Sequence, residues 1–525
     1  MKNIKTNLPL TLIASSILVA GTVHAKTITW ADTSDIYSMD PHGQAISPTL
    51  AFLHHIYEPL VRYNQNLEIE PALATRWEKV EPDRWRFTLR QGVKFHDGSE
   101  FTAEDVVASL ERATHPDSPI RGNLPAVAGV ERVDDHTVDI HLNGSYPLLL
   151  NDLTNVYVLD KQWMSEHGAL QPIDPSKGEQ SYSTTHTNGT GPFVLETRRP
   201  DAETVLTVNE KWWDEAEHNL TRIEFTPIAS DATRVSALLS GQIDMMLSVP
   251  LQDIARLENA PGIQILETPG LRTIMLAFNQ SPATLEDNGA EGNPLQEVKV
   301  RKALYQAINM ELIHDKLMRG KSRNAALPVA PAVPGYAAEL DERYPYDPEA
   351  ALQLLAEAGY PDGFSVGLDC PNDRYVRDEE ICQAISAMWA RIGVETRVNA
   401  RNASNHWQEA LNGGSDIWMF GWATLPMLDS FSILSQVLSS PHDKYGAWNP
   451  GGYHNPEVDA LIEKISVAQD EQERLSMIDQ AFELSKADIP LLPLHQQPLI
   501  WATNDDIQVP QTPDNKVRLW YATVE

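Results

Sequence analysis

The sequence predicts an α/β or α+β protein of more than one domain, and three observations carry that expectation. Strand-like and helix-like patterns alternate irregularly, with no low-complexity tract and no internal repeat. Helix-start devices recur far apart, at Thr102, Asp347 and Asn455. The 525 residues exceed what one hydrophobic core serves, so two or three domains are expected.

In chain order, residues 1–25 have the layout of a signal peptide. Lys2 and Lys5 precede an apolar stretch from Leu8 to Val23, and Val23-His24-Ala25 is a small-x-Ala cleavage site. Pro9, Thr11 and Ser15-Ser16 interrupt the stretch, which is shorter than the roughly 20 residues a spanning helix needs. Cleavage is expected after Ala25. Lys26 follows, not cysteine, so no lipid anchor is expected.

Trp85, Phe87 and Leu89 alternate with Arg84, Arg86, Thr88 and Arg90, the period of a half-buried strand. Asp97-Gly98 makes a turn. Thr102 caps a helix, with Asp105 completing a capping box and Val106 and Leu110 on one face. Gly189-Thr190-Gly191-Pro192 turns into a strand at 193–195, and 271–279 reads as a buried strand that crosses between large lobes. Asp347-Pro348 opens a helix that Gly359 ends, and Asn455-Pro456 repeats the device. Cys370 should end a strand and Cys382 lie on a helix. Trp422 should follow a strand at 417–420.

The formal net charge is −32, and loss of Lys2 and Lys5 takes it to −34. That balance argues against nucleic acid and anionic lipid as partners. Cys370 and Cys382 are the only cysteines; in an oxidising compartment a disulfide is favoured over free thiols. Two cysteines without partner histidines do not make a zinc set.

Catalytic signatures are missing. There is no G-x-S-x-G elbow, H-E-x-x-H, phosphate loop or dinucleotide fingerprint. In Gly189-Thr190-Gly191-Pro192 the proline removes a donor that a phosphate cradle requires. His54-His55 is the only histidine doublet, and adjacent side chains point apart, against a shared metal. No metal, cofactor or catalytic residue is expected. What stands out is aromatic. Trp422, Trp448 and Tyr453 lie in Gly/Pro/Asn-rich stretches, where large rings either line a ligand pocket or plug a loop onto the core. Trp77 and Trp212-Trp213 read as structural.

Met39-Asp40-Pro41-His42, Ile56–Leu60, Gly92–Gly98 with Phe101–Val106, Gly189–Phe193, Val298–Ala307, Tyr346–Gly359, Asn455–Asp459 and Pro493-Leu494-His495 form an ordered set spanning the mature chain. With that set the chain resembles the extracellular solute-binding proteins of the peptide/nickel class, family 5, which serve ABC importers. The resemblance implies a two-lobed periplasmic binding fold, a Venus flytrap, with an extra subdomain on lobe one. Lobe one would comprise 26–65, 185–279 and 499–525, the subdomain 66–184, and lobe two 280–498. It implies a monomeric periplasmic receptor that captures a short peptide or peptide-like compound and hands it to a membrane permease. Peptide-binding members hold the ligand's amine with an acid three residues after a pocket tryptophan. Here that position, counted from Trp422, is Leu425, and the nearest acid is Asp429. Arg374 lies where dipeptide binders place a carboxylate-holding arginine; otherwise it is a surface arginine paired with Asp373 or Asp378. An oligosaccharide, an opine-like conjugate and a nickel chelate stand as alternative ligands, and a secreted hydrolase as the rival class.

Overall fold

The computed structural model describes residues 26–174, 177–281, 285 and 292–525. The signal-peptide layout at 1–25 lies outside the described residues.

One mixed sheet organises most of the chain. Its strands run in the order Val394–Arg401, Phe364–Pro371, Ile417–Ala423, Ile263–Phe278, Leu491–Asn504, Met245–Met246, Thr27–Asp32, Arg222–Pro227, Glu203–Val208 and Phe193–Arg199. The two long central strands, Ile263–Phe278 and Leu491–Asn504, pair antiparallel over most of their length. Each flank contains a parallel pair, Thr27–Asp32 with Arg222–Pro227 and Phe364–Pro371 with Val394–Arg401. Parallel pairs need crossover connections, which helices such as Asp378–Trp389 supply. The strand expected at 271–279 is therefore the second half of a longer crossover strand.

A second, four-stranded antiparallel sheet stands apart, in the order Ala74–Glu81, Arg84–Leu89, Thr137–Leu142, Val127–Asp134. The period of two at 84–90 places Phe87 and Leu89 in its core. Thr102 and Asp105 form the expected capping box on the helix Ala103–Thr114. Asp347 and Asn455 cap the helices Pro348–Glu357 and Pro456–Ile465, and Gly359 follows the first at φ 93°.

Two motifs have structural explanations. Asp40 receives both arms of Arg112 and the hydroxyl of Ser183, and both charged side chains are fully buried. Glu58 accepts hydrogen bonds from Thr190 and from the indoles of Trp212 and Trp213. Gly189 and Gly191 lie against the backbone of Ile56, where any Cβ would collide. The glycine-rich turn is thus a packing device, and Trp212-Trp213 is structural.

Apolar packing runs from the small sheet into the 275–491 half. One continuous cluster joins Leu60, Phe87 and Tyr146 to Leu428, Phe431 and Tyr445. Tyr63 donates its hydroxyl to the carbonyl of Met427 at 3.4 Å across this junction.

Candidate functional site

The site grows out of the crossover strand. Arg272 pairs in register with Ala423, and Thr273 with Trp422. The neighbouring strand therefore continues to Ala423, and Trp422 sits on it rather than in a following loop, because the long crossover strand keeps offering backbone partners. A strand position holds the ring more rigidly than a loop would. Its indole N–H donates to the Ser432 hydroxyl at 3.0 Å.

Trp422 is half-buried and meets Trp448 edge-on, ring centroids 5.9 Å apart; Trp448 meets Trp407 at 5.3 Å. Trp448 is 37 % exposed, so this three-ring cluster keeps an open face. Trp407, on the helix Ala403–Leu411, escaped the sequence reading because nothing local marks it off from a core tryptophan.

Between the strand Phe364–Pro371 and the helix Asp378–Trp389 runs the loop carrying Arg374 and Tyr375. A disulfide joins Cys370 to Cys382, tying the strand end to the helix. Asp378 accepts the backbone N–H groups of Arg374 and Tyr375, both at 3.0 Å. Asp373 accepts from the backbone of Ala403. Among the described residues the exposed Arg374 guanidinium pairs with neither acid; it lies 5.6 Å from the centre of the Tyr375 ring. Tyr375 accepts the Gly421 N–H at its hydroxyl, at 2.9 Å, and burial pushes its pKa up against the opposing charge of Arg272. A Cβ at Gly421 would crowd Ile274, Arg272 and Tyr375, so glycine lets the three pack there.

Asp429 is engaged. Its oxygens accept from Arg474 at 3.0 and 2.6 Å, and Phe431 N–H donates to it at 2.8 Å. The residue is 1 % exposed. Tyr453 is likewise buried, its hydroxyl donated to Asp488 at 2.9 Å, and it lines with Trp448 a cavity of about 10 Å³, room for one water. Asp429 and Tyr453 thus belong to internal hydrogen-bond networks, whereas Trp422 and Trp448 form a partly open ring cluster and Arg374 is exposed on the loop beside Tyr375. Leu425 is half-buried and offers no charge.

Asp152, on the helix Leu149–Leu153, is a buried acid that has no ion-pair partner among the described residues. Burial pushes its carboxyl well up, with Tyr146 opposing and the charge of Asp429 across the junction adding to the rise. His54 and His55 are buried against Trp520, and no group of His, Cys, Asp and Glu able to hold a metal occurs among the described residues. No helix there is long and apolar enough to cross a membrane.

The model of the bacterial extracellular solute-binding proteins, family 5, matches residues 68–445. Heme-binding protein A of Haemophilus influenzae is 30 % identical over 469 residues, covering 84 % of this chain and 81 % of the relative. Glutathione-binding protein GsiB of Salmonella typhimurium is 27 % identical over 505 residues, covering 94 % of each. Among solved structures, HbpA2 of Haemophilus parasuis superimposes with a TM-score of 0.82 at 25 % identity, covering 95 % of this chain and 100 % of that one. DppA of Helicobacter pylori, in complex with the peptide STSA, gives 0.75 at 23 % identity, covering 95 % and 98 %.

Proposed function

The chain belongs to the bacterial extracellular solute-binding proteins of family 5, two-lobed receptors of ABC importers, and from that premise we propose that its ligand is a short peptide or peptide-like compound held beside the crossover strands. Two observations carry the proposal: the exposed Arg374 has no acid partner among the described residues, and the ring cluster of Trp422 and Trp448 keeps an open face. The guanidinium fork suits a carboxylate because it bonds both oxygens. The tryptophan rings offer flat apolar area to the body of the ligand. Relatives named for glutathione and a structural neighbour holding a peptide support the same class.

In this account residues 1–25 direct export and are removed after Ala25, Lys26 leaves the mature chain without a lipid tether, and the receptor works as a monomer. Lobe one comprises 26–65, 185–279 and 499–525, the subdomain 66–184, and lobe two 280–498. A ligand touching both lobes favours the closed form by its differential affinity, and the permease reads that form. Binding and delivery, with no chemical step, complete the role.

A thermal-shift screen of di- to pentapeptides and glutathione tests the proposal. A tight ligand raises the melting temperature by linkage, and Trp422→Ala should weaken that ligand at least tenfold. A panel that leaves the melting temperature unmoved contradicts it.

A further inference from the structure

Arg272 is the feature that the peptide proposal leaves unused. It projects from the crossover strand, is half-buried, and donates to the Gly421 carbonyl at 3.0 Å. Among the described residues no carboxylate lies within ion-pair distance of it. Its guanidinium is 5.9 Å from the centre of the Tyr375 ring, the ring that Arg374 also approaches. Arg112, Arg474 and Arg518 are buried against the carboxylates of Asp40, Asp429 and Asp514, and buried Arg301 is held by five hydrogen bonds to backbone carbonyls, whereas Arg272 has the single Gly421 carbonyl.

A desolvated charge with no partner is costly, and a second like charge nearby raises the cost. Burial lowers the pKa of Arg272, Tyr375 opposes, and the charge of Arg374 lowers it further. The fold nonetheless holds both groups in place. Tyr375 is pinned by Gly421 N–H, and the Cys370–Cys382 bridge spans the loop that carries Arg374. The half-buried charge of Arg272, with the exposed Arg374 beside the same ring, fits a binding partner that brings negative charge.

We propose that Arg272 and Arg374 form a subsite for two acid groups, so that the receptor selects ligands ending in a dicarboxylate, such as a peptide with C-terminal glutamate. Each fork takes one carboxylate, with Tyr375 as the divider between them. One acid group would neutralise one of the two charges and leave the other without a counter-charge. The inference rests on the peptide proposal but adds a selectivity that the proposal does not require.

Calorimetric titration of Ala-Ala-Glu and Ala-Ala-Gln against the wild-type protein, Arg272→Gln and Arg272→Lys tests it. The wild type should bind the glutamate peptide at least tenfold tighter. The ratio should collapse to about one in Arg272→Gln and recover partly in Arg272→Lys. Equal affinities in the wild type, or a preference that survives Arg272→Gln, overturn the two-acid subsite and leave the peptide proposal standing. If neither peptide binds, N-acetylglutamate against N-acetylglutamine makes the same comparison without a peptide. Preference for the glutamate compound then supports the subsite, and equal or no binding overturns it. Melting curves of both variants separate loss of selectivity from loss of fold.

Discussion

Asp429 and Arg474 form a buried two-pronged ion pair, with N–O distances of 3.0 and 2.6 Å, at the foot of the segment that follows Trp422. A carboxylate so held is a structural anchor, because its negative charge is already matched. Removing Asp429 leaves buried Arg474 with only the exposed Glu471 as its ion-pair partner, which costs about 1–3 kcal/mol. Asp429→Ala should therefore lower the unfolding free energy by that order in denaturant titration. Asp429→Ala with Arg474→Met together should recover part of the loss, because no lone charge remains. A single variant as stable as wild type contradicts the structural assignment.

Much of the architecture was legible in residues with local chemistry. Thr102 with Asp105, Asp347-Pro348 and Asn455-Pro456 announce their helices, since a cap depends only on neighbours in sequence. Trp85, Phe87 and Leu89 announce their strand by alternation. The site was legible only in part. Trp422 and Trp448 stood out, but whether Asp429 is open or paired depends on Arg474, 45 residues later on another helix. Arg272 read as one polar residue in a buried strand. Its meaning lies in Tyr375 and Gly421, both more than a hundred residues away and brought beside it by sheet pairing.

The disulfide makes a second prediction. Cys370 and Cys382 are 12 residues apart, and closing a loop of that size stabilises by roughly 3 kcal/mol in the chain-entropy model. The paired replacement Cys370→Ala with Cys382→Ala should lower stability by that order in urea. It should also weaken carboxylate-bearing ligands more than uncharged ones, because the loop carrying Arg374 loses its tie. Equal weakening of both classes contradicts the positioning role.

Histidines give the pH dependence. Burial lowers His42 and His495 to about 3, and His55 and His96 to about 4. Unfolded histidine titrates near 6.5. As pH falls from about 6.5 toward 4, the unfolded chain gains protons that the folded chain refuses. Stability from these groups is thus full above about 6.5 and declines below it. Asp369, raised to about 6 by burial against the pull of Arg401, works in the opposite direction. The cleanest check is His495→Gln. Between pH 6.5 and 4 the wild type should lose about 1.4 kcal/mol more per pH unit than the variant. Parallel stability curves contradict the buried neutral state.

The central claim is that the surface beside the crossover strands holds a peptide-like compound, and mass spectrometry of whatever is released from freshly purified, denatured protein tests it most directly. The account predicts an amide-linked compound carrying free carboxylate. Recovery of an oligosaccharide or a nickel chelate in its place would contradict it.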